Sequence, residues 1–432
     1  MPETRRSLRI AWIGAGPGLE ETGGVAGVAT ELLHGLAELG HRIDCFLPRS
    51  VRTLPLRLEQ AENITFIWGT SDWRWNRWYS RSPMTAFVSG LISRSVASLR
   101  LRREIAGRHA SEPFDVIYQF SNIETLAMPA ALRRRVPLVI HPETHVAGEL
   151  RSLIAERRLS LRCQPAYMFA ALVVIMSIRA ALQRVRIRRA RLLVCISAVF
   201  RDHLVRDYGF PVDSTVVIPN PVSLERFAGL DLQPRRPPTV LVLGRVSLRK
   251  GIEDVVAVAG ELLERRSDAR VRVVGGPSLW SDYTKLLEDL PAENAEYAGA
   301  LAASEIPTEL AHSGVLLQAS RYEPFALTVA EALAAGVPVV GTSEVGAIAD
   351  VDRRVAAEVQ PGDVEGMTAA VERLLEEVRA QPEQMRELAR AEAERLFAPD
   401  VVCRKISLAL EQLVEGPGPL HSPPLPEVRQ PV

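Results

Sequence analysis

Residues 322–340 read YEPFALTVAEALAAGVPVV, and within this stretch a loop, a helix and a strand follow one another. Glu323 lies in the Pro-containing loop, and Glu331 lies eight positions later in a run of Val, Ala and Leu. A buried carboxylate is costly without a partner, so Glu331 needs a polar group to bind. Gly336 is typical of a helix C-terminus, and 337–341 predicts a buried parallel strand. The amides that begin this helix are therefore positioned to receive an anion.

Length and composition indicate a soluble protein with two domains. The 432 residues exceed one ordinary core, and the apolar and charged fractions, 47% and 24%, are those of a globular chain. The formal net charge is zero, so bulk charge predicts no nucleic-acid partner. Almost all basic residues are arginine, and the three lysines are Lys250, Lys285 and Lys405. Each lysine is therefore a candidate for a specific role.

The cysteines and the apolar runs favour a cytoplasmic setting. Four cysteines are scattered without the spacing of metal ligands, which is typical of a reducing compartment. The first residues lack a signal-peptide run, and no window reaches the ~18 uninterrupted apolar residues of a spanning helix. The longest apolar run, 166–178, is too short to span.

Strands and helices alternate along the chain in two consecutive series. A strand at 8–13, a helix at 28–39 and a strand at 43–47 have the βαβ order that begins a doubly wound sheet. The alternation restarts after a stretch with three prolines, which we interpret as a linker. The predicted segments are an N-terminal domain (1–227), the linker (228–238), a second domain (239–398), a helix (399–414) and a disordered Pro-rich tail (415–432).

The first strand of the second domain leads into a basic loop. Residues 241–251 read LVLGRVSLRKG, with Arg245 and Lys250 five positions apart. A planar guanidinium binds paired oxygens and an ammonium is a point charge, so together they suit a diphosphate. Cations at this place stabilise a departing diphosphate more in the transition state than in the ground state. The alternative is two solvated surface cations.

Both stretches resemble the retaining glycosyltransferases of family 4. That family has Glu-Pro-Phe-Gly, four residues, Glu-Ala and then Gly-x-Pro-Val, and the match begins at Glu323. Ala326 departs from the pattern, because the family usually has Gly there, and its methyl group would narrow or shift the donor pocket. The family motif Gly-Arg-x4-Lys-Gly is matched over 244–251. The resemblance covers most of both predicted domains.

The resemblance implies a fold and an activity. The fold is α/β of the GT-B class, with two Rossmann-like doubly wound domains that face a cleft. The N-terminal domain would lie on the acceptor side, the second domain would bind the nucleotide sugar, and the helix 399–414 would return to the first domain.

The resemblance also implies roles for residues on the donor side. Arg245 and Lys250 would hold the diphosphate, and Glu331 would hold the ribose hydroxyls. The donor sugar would be held by the Glu323 side chain and by the backbone amides of Phe325, Ala326 and Leu327.

Two histidines follow a predicted strand of the first domain. Residues 137–149 read PLVIHPETHVAGE, so His141 and His145 both lie near the end of that strand. Family 4 enzymes often have a histidine here that contacts the donor sugar, where an imidazole hydrogen-bonds a hydroxyl or holds positive charge. The register is ambiguous, and we prefer His145 as a catalytic residue. A structural hydrogen bond is the expected role of at least one of the two.

A glycine-rich loop precedes the first helix. Residues 14–18 read GAGPG, but Leu19 replaces the third glycine of the dinucleotide fingerprint, and Pro17 removes an amide that would bind phosphate. NAD binding is therefore a weak interpretation. Gly23 and Gly24 are similar to the family 4 loop near the donor phosphates, so we predict that Gly24 binds the donor. The alternative is a flexible turn.

The sequence predicts no metal site and no resident cofactor. Its Asp-x-Asp triplet, Asp350 to Asp352, is followed by two arginines and lies beyond the expected site, so we interpret it as a solvated helix end. In this interpretation cationic side chains, rather than a metal ion, neutralise the diphosphate.

One basic and apolar region stands apart from these motifs. Residues 151–191 contain ten arginines, the single acid Glu156 and the apolar run 166–178, and 73–79 upstream read WRWNRWY. Such segments suit an anionic membrane interface or a solvated helix pair. RNA binding is a weaker interpretation, since no RNA-binding module surrounds the cluster.

We therefore predict a retaining, metal-independent glycosyltransferase that moves a sugar from a nucleoside diphosphate sugar to an unknown glycan, glycolipid or small-molecule acceptor. The predicted location is the cytoplasm, with peripheral contact at the inner face of the membrane. A non-catalytic nucleotide-sugar-binding or membrane-associated subunit with the same fold is the alternative, because of Ala326 and the ambiguous histidine. A phosphorylase or synthase on this fold is a weaker one.

Overall fold

The computed structural model describes residues 6–18, 24–47, 53–69, 85, 89, 100–121, 130–230, 235–278 and 282–416. Gly23, the aromatic stretch 73–79, part of the predicted linker and the tail from 417 onward lie outside the described residues. The chain divides into two compact units. The first comprises Met1–His145, Ile178–Pro221 and Pro399–Val432, and the second comprises Val146–Ser177 and Val222–Ala398.

The first unit is built on a seven-stranded parallel sheet. Its strands are β1 (Arg9–Gly14), β2 (Arg42–Leu47), β3 (Ile64–Trp68), β4 (Val116–Phe120), β5 (Leu138–His141), β6 (Leu192–Cys195) and β7 (Thr215–Val217). They lie in the order β3-β2-β1-β4-β5-β6-β7 with every neighbouring pair parallel. From β1 the chain adds β2 and β3 on one side of the sheet and then β4 to β7 on the other. The switch point, where ligands bind in such sheets, therefore lies between β1 and β4.

Helices accompany these strands. They are Val25–Glu38, Leu56–Glu59, residues 100–111, Ala130–Arg135, Ala198–Tyr208 and Pro399–Glu415. Ser197 accepts a hydrogen bond from the amide of Phe200 and caps the helix that it precedes, while Gly209 ends that helix with φ +63°.

The final helix packs on the first helix of the same unit. A side chain at Gly35 would place its Cβ 2.6 Å from Cys403 Sγ, so the two helices approach closely here. His41 is fully buried; its Nε2 lies 2.8 Å from Ser407 Oγ, and its Nδ1 accepts from the amide of Leu8 at 3.1 Å. The C-terminal helix is therefore part of the core of the first unit.

The second unit is built on a six-stranded parallel sheet. Its strands are β8 (Thr239–Leu243), β9 (Arg270–Val274), β10 (Ala295–Gly299), β11 (Val315–Gln318), β12 (Val339–Thr342) and β13 (Ala356–Val359). They lie in the order β10-β9-β8-β11-β12-β13, so the switch point falls between β8 and β11. The predicted α/β class with two doubly wound parallel sheets is confirmed.

Helices also accompany the second sheet. They are Val146–Ala155, Arg157–Cys163, Ile252–Glu264, Ile306–Ala311, Leu327–Ala334, Val364–Ala380 and Pro382–Phe397, with short 3-10 turns that include Leu248–Lys250 and Thr284–Asp289. Strands β10 and β13 and the helix Pro382–Phe397 were not predicted.

The segment Val146–Ser177 belongs by its contacts to the second unit, whereas the sequence prediction placed it in the N-terminal domain. Glu156 lies 3.1 Å from Arg321, and Ser160 Oγ lies 3.4 Å from the hydroxyl of Tyr283. Polar contacts between residues so distant in sequence leave no periodic pattern, so the sequence did not reveal this boundary. The predicted linker does not mark it either, because the second unit resumes at Val222.

One helix in the described part of the chain, Ala166–Ile187, is long and apolar enough to cross a membrane, judged by length and composition alone. The uninterrupted apolar run ends before Arg179, but the helix continues for eight more residues after that arginine. Most of its apolar window is exposed. The division between the two units falls within this helix.

Candidate active site

Glu323 and two cations form a cluster in the second unit. Lys250 Nζ and Arg249 Nη1 each lie 2.5 Å from Glu323 Oε2. Glu323 is buried, as is most of Lys250, while Arg249 remains partly exposed. The cations come from the loop after β8 and the carboxylate from the loop after β11. The cluster therefore lies at the switch point of the second sheet, as expected for a ligand site.

The charges of this cluster stabilise one another. Burial opposes ionisation of Glu323, but Arg249 and Lys250 outweigh it and hold the pKa of that carboxyl at about 2. Burial lowers the pKa of Lys250, and Glu323 opposes this effect. At neutral pH the carboxylate is thus ionised beside Arg249 and Lys250, and a diphosphate would compete with it for these two side chains.

A glycine at position 251 brings the loops of the cluster together. Gly251 has φ +65° and begins the helix Ile252–Glu264, and a Cβ there would lie 2.0 Å from the carbonyl oxygen of Ala319. A Cβ on Gly244 would lie 3.6 Å from Lys250 Nζ. Only glycine at 251 allows the first loop to touch the second, so it positions Lys250 against Glu323.

The loop 323–327 is fixed on its other side by the loop after β12. The amide of Glu323 donates to the carbonyl of Glu344, and the amides of Gly346 and Ala347 donate to the carbonyls of Glu323 and Phe325. The amides of 325–327 themselves donate to no described residue. These amides lie at the N-terminal end of the helix Leu327–Ala334 and remain available for an acceptor on a ligand.

Ala326 adopts the left-handed conformation that favours glycine, with φ +75° and ψ +80°. The residue is buried, and its carbonyl accepts the amide of Val329 in the first turn of the helix. A non-glycine residue in this region costs on the order of 1 kcal/mol or more. The family pattern has Gly at this position, so the chain retains the backbone shape and accepts the strain.

We expect the substitution Ala326→Gly to raise the free energy of unfolding by about 1 kcal/mol, because it removes this strain. The matched control is Ala334→Gly, which makes the same chemical change at a position of the helix Leu327–Ala334 with regular backbone angles. It is expected to lower the free energy of unfolding by about 1 kcal/mol. Urea unfolding at pH 7 measures both. Loss of stability in both variants would contradict the strained conformation of Ala326.

Glu331 has a cationic partner that the sequence did not reveal. Arg226 Nη1 lies 3.4 Å from Glu331 Oε1, and both side chains are largely buried. Burial raises the pKa of Glu331, and Arg226 partly offsets this increase. The polar group that the sequence required for Glu331 is thus an arginine from the 3-10 turn Leu224–Phe227.

Two other predicted donor residues lie apart from these contacts. Arg245 is exposed and forms no ion pair with any described residue, and Arg249 takes the place beside Glu323. Gly24, in the first unit, precedes the helix Val25–Glu38 with φ +72° and ψ −153°, and a Cβ there would meet nothing within 4 Å. Its backbone shape requires glycine, and the space around it is open.

His145 has the surroundings of a structural residue. Its side chain is fully buried, and Nε2 lies 3.0 Å from Asp207 Oδ2. The ring meets Tyr208 edge-on with centroids 5.0 Å apart and lies near Phe200. This buried environment is that of a structural residue, and the catalytic role of His145 stays a prediction.

His141 lies in a different polar cluster at the carboxyl end of β5. Its Nδ1 is 2.7 Å from the hydroxyl of Tyr118, and its Nε2 is 3.4 Å from Glu143 Oε1. Asn220 Nδ2 donates to Glu143 Oε2 at 2.7 Å. Burial lowers the pKa of His141 to about 3 and raises the pKa of Glu143 to about 7, while Asn220 opposes both changes. His141 is therefore neutral at pH 7.

The acidic residues of the described ranges do not form a metal site. No group of three or more His, Cys, Asp or Glu residues there is arranged to hold a metal ion. Asp352 of the predicted solvated triplet pairs with Arg354, whose Nη2 donates to Oδ2 at 2.7 Å. The hydrogen bonds from Arg354 lower the pKa of Asp352 despite partial burial.

Comparison with known proteins identifies the family. Residues 22–226 match the model described as Glycosyltransferase Family 4, and residues 231–392 match the model described as Glycosyl transferases group 1. The chain belongs to the family 4 glycosyltransferases. The predicted resemblance is confirmed, and the two matches adjoin shortly after Val222, where the second unit resumes.

Relatives of this glycosyltransferase include a glycogen synthase of Mycobacterium tuberculosis, which is 27% identical over 215 residues, 49% of this chain and 50% of the relative. The matched segment thus spans about half the length of the first curated relatives. Sucrose-phosphate synthase from Thermosynechococcus elongatus superposes with a TM-score of 0.66 at 18% identity, covering 95% of this chain and 100% of that one.

The Anabaena protein HepE in complex with UDP-glucose superposes on this glycosyltransferase with a TM-score of 0.59 at 18% identity, covering 94% of this chain and 100% of that one. At such identities the two structural likenesses show the fold alone. They confirm the predicted GT-B class.

Proposed function

We propose that the chain is a retaining glycosyltransferase that moves a sugar from a nucleoside diphosphate sugar to an acceptor without a metal ion. The observation that supports this most is the convergence of Arg249 and Lys250 on Glu323 beside the unbonded amides of 325–327. HepE binds UDP-glucose on the same fold, which favours a nucleotide-sugar donor for this chain.

Each group of the cluster has a role in this proposal. Lys250 and Arg249 bind the diphosphate and stabilise the negative charge that develops as it leaves. Glu323 and the neighbouring amides hold the hydroxyls of the donor sugar, and Glu331, oriented by Arg226, holds the ribose. Arg245 is exposed at the end of β8, where it would supply a further cation to the phosphates.

In the first unit we assign the contact with the donor sugar to His141 rather than His145. Both imidazoles are fully buried, but Nε2 of the neutral His141 lies 3.4 Å from Glu143, whereas Nε2 of His145 lies 3.0 Å from Asp207. His141 is therefore the better placed to hydrogen-bond a hydroxyl of the sugar. Gly24 offers an open backbone to the donor. The acceptor is a glycan, glycolipid or small molecule, and the proposed location is the cytoplasm with peripheral contact at an anionic membrane. Four free cysteines, three of them buried, suit a reducing compartment.

The test is a panel of UDP-, GDP- and ADP-sugars with purified full-length protein in the presence of EDTA. Saturable binding with slow release of one nucleoside diphosphate is expected, and the best donor identifies the base and the sugar. His141→Ala is expected to weaken this turnover more than His145→Phe, which retains an aromatic ring beside Tyr208. Failure to bind any donor would refute the donor site, and binding without release to any acceptor would favour the non-catalytic alternative.

A further inference from the structure

The exposed helix, Ala166–Ile187, presents an apolar stripe. Positions 167, 171, 174, 178, 181 and 185 follow one another at spacings of three and four, which places them on one face. The large side chains of this stripe are exposed: Tyr167 by 74%, Val174 by 54%, Ile178 by 43% and Val185 by 48%. Scattered apolar residues on a surface are ordinary, but a continuous stripe indicates an interaction surface.

The opposite face attaches the C-terminal half of this helix to the first unit. Gln183 Nε2 donates to the carbonyl of Thr144 at 2.7 Å, and the hydroxyl of Tyr208 donates to Gln183 Oε1 at 2.5 Å. Ile187 is buried one turn further on. These contacts fix the rotation of the helix, so Ile178 and Val185 face away from the unit. A helix whose C-terminal half is attached to the unit at Gln183 and Ile187 is suited to lie on a membrane surface rather than to span a bilayer.

Two adjacent basic pockets lie where the exposed helix ends. Their volumes are ≈ 400 and ≈ 320 Å³, and they share Ala190 and Arg191. The arginines that line them are Arg133, Arg134, Arg188, Arg189 and Arg191, and neither lining includes an acid. Ser214 of the 3-10 turn Val212–Ser214 lines one pocket, whereas Asp213 lines neither. Val212 of this turn is 54% exposed.

Three arginines of these pockets, Arg133, Arg134 and Arg191, are available to an anion. Arg188 is held in place, because its Nε donates to the carbonyl of Tyr208 at 2.8 Å. Arg133, Arg134 and Arg191 form no ion pair with any described residue, and Arg133 Nε is buried without a hydrogen-bond partner. Unpaired guanidinium groups around a pocket bind phosphate oxygens well.

The pockets and the proposed substrate residues of the first unit lie at opposite ends of the strands of the first sheet. Leu138, the first residue of β5, lines one pocket, and Arg191 immediately precedes β6. The pockets are therefore at the amino ends of these strands, whereas His141 is at the carboxyl end of β5 and Gly14 is at the carboxyl end of β1. Anion binding here is separate from donor binding in the first unit.

We propose that the stripe and the basic pockets dock the chain on an anionic phospholipid membrane. Lipid phosphates enter the arginine-lined pockets, while Ile178, Val185 and Val212 enter the boundary between headgroups and acyl chains. The apolar stripe and the positive pockets are the two signals that stable peripheral attachment requires. This docking rests on the membrane contact in the proposed function and assigns that contact to particular residues. Because vesicle binding is measured without sugar transfer, its failure can be distinguished from failure of the proposed activity.

The test is co-sedimentation of the full-length chain with vesicles of phosphatidylcholine, alone or mixed with phosphatidylglycerol. We expect binding to the anionic vesicles only, and release by high salt. Each surface arginine is worth about fivefold in binding, so the double variant Arg134→Gln, Arg191→Gln should bind about 25-fold less tightly. The pair Ile178→Ser, Val185→Ser should also weaken binding severalfold at unchanged charge.

The matched control is Arg353→Gln with Arg373→Gln, two exposed arginines of the second unit, which removes the same charge. Equal loss of binding in the control would refute the assignment to this surface. Vesicle retention at high salt would indicate a spanning helix and overturn the proposal. Binding of inorganic phosphate without binding of vesicles would also overturn it. The same is true if the chain does not bind vesicles and instead forms a dimer in analytical ultracentrifugation that the double variant Ile178→Ser, Val185→Ser dissociates.

Discussion

Replacing Lys250 by alanine is expected to lower kcat by about 100- to 1,000-fold with the best donor of the panel. The ammonium is one pre-placed charge at the position where the diphosphate would gain negative charge, and the loss of a single such group has an effect of this size. Because this charge develops only as the sugar leaves, kcat should fall more than the affinity for the donor. Steady-state kinetics with varied donor measure both quantities.

The matched control for this prediction is Lys285→Ala, which removes an exposed lysine of the same unit. Its kcat should equal that of the wild type within a factor of about two. Arg249→Ala should resemble Lys250→Ala, since both cations contact the same oxygen of Glu323. Wild-type turnover by the Lys250→Ala protein would remove the proposed role of the cluster.

Glu323→Gln is expected to lower the free energy of unfolding by about 3 kcal/mol at pH 7. The native pKa of Glu323 is about 2 instead of the ordinary value of 4.5, and each tenfold change in proton affinity corresponds to about 1.4 kcal/mol. The amide cannot neutralise Lys250, which is largely buried. Urea unfolding of the wild type and the variant measures the difference.

The pH dependence of this difference follows from the direction in which the pKa of Glu323 moves. A carboxyl with a lowered native pKa stabilises the fold above its ordinary pKa, and this contribution disappears as the pH falls toward the native value. The difference in the free energy of unfolding between the wild type and Glu323→Gln should therefore have its full size above about pH 5. It should decrease to zero between about pH 4.5 and 2. The control is Glu376→Gln, an exposed glutamate, and an equal effect in both variants would contradict the buried ion cluster.

Strands were predicted more accurately than domain boundaries, and the reason is physical. Central strands such as β5 and β8 are short apolar runs between turn residues, so the local sequence indicates where they lie. The edge strand β10 has exposed polar residues and no such run. The place of Val146–Ser177 depends on contacts such as Glu156 with Arg321, which the local sequence cannot indicate.

The same distinction applies to the candidate site. Glu323 and Lys250 were predicted from a local motif, and the structure places them in contact. Arg249 was missed because the motif directs attention to Arg245, four positions earlier, although the 3-10 turn Leu248–Lys250 presents the later arginine to Glu323. Arg226 was missed because it is 105 positions from Glu331 and belongs to no motif.

The helix Pro399–Glu415 has a consequence for the order in which the protein can be completed during synthesis. The second unit ends at Ala398, so all its residues have been synthesised before this helix begins. The first unit, although it contains the earliest residues, still lacks the partner of Gly35 and His41 at that time. The nascent N-terminal sheet thus waits, with one face of its first helix uncovered, until the helix Pro399–Glu415 has been made.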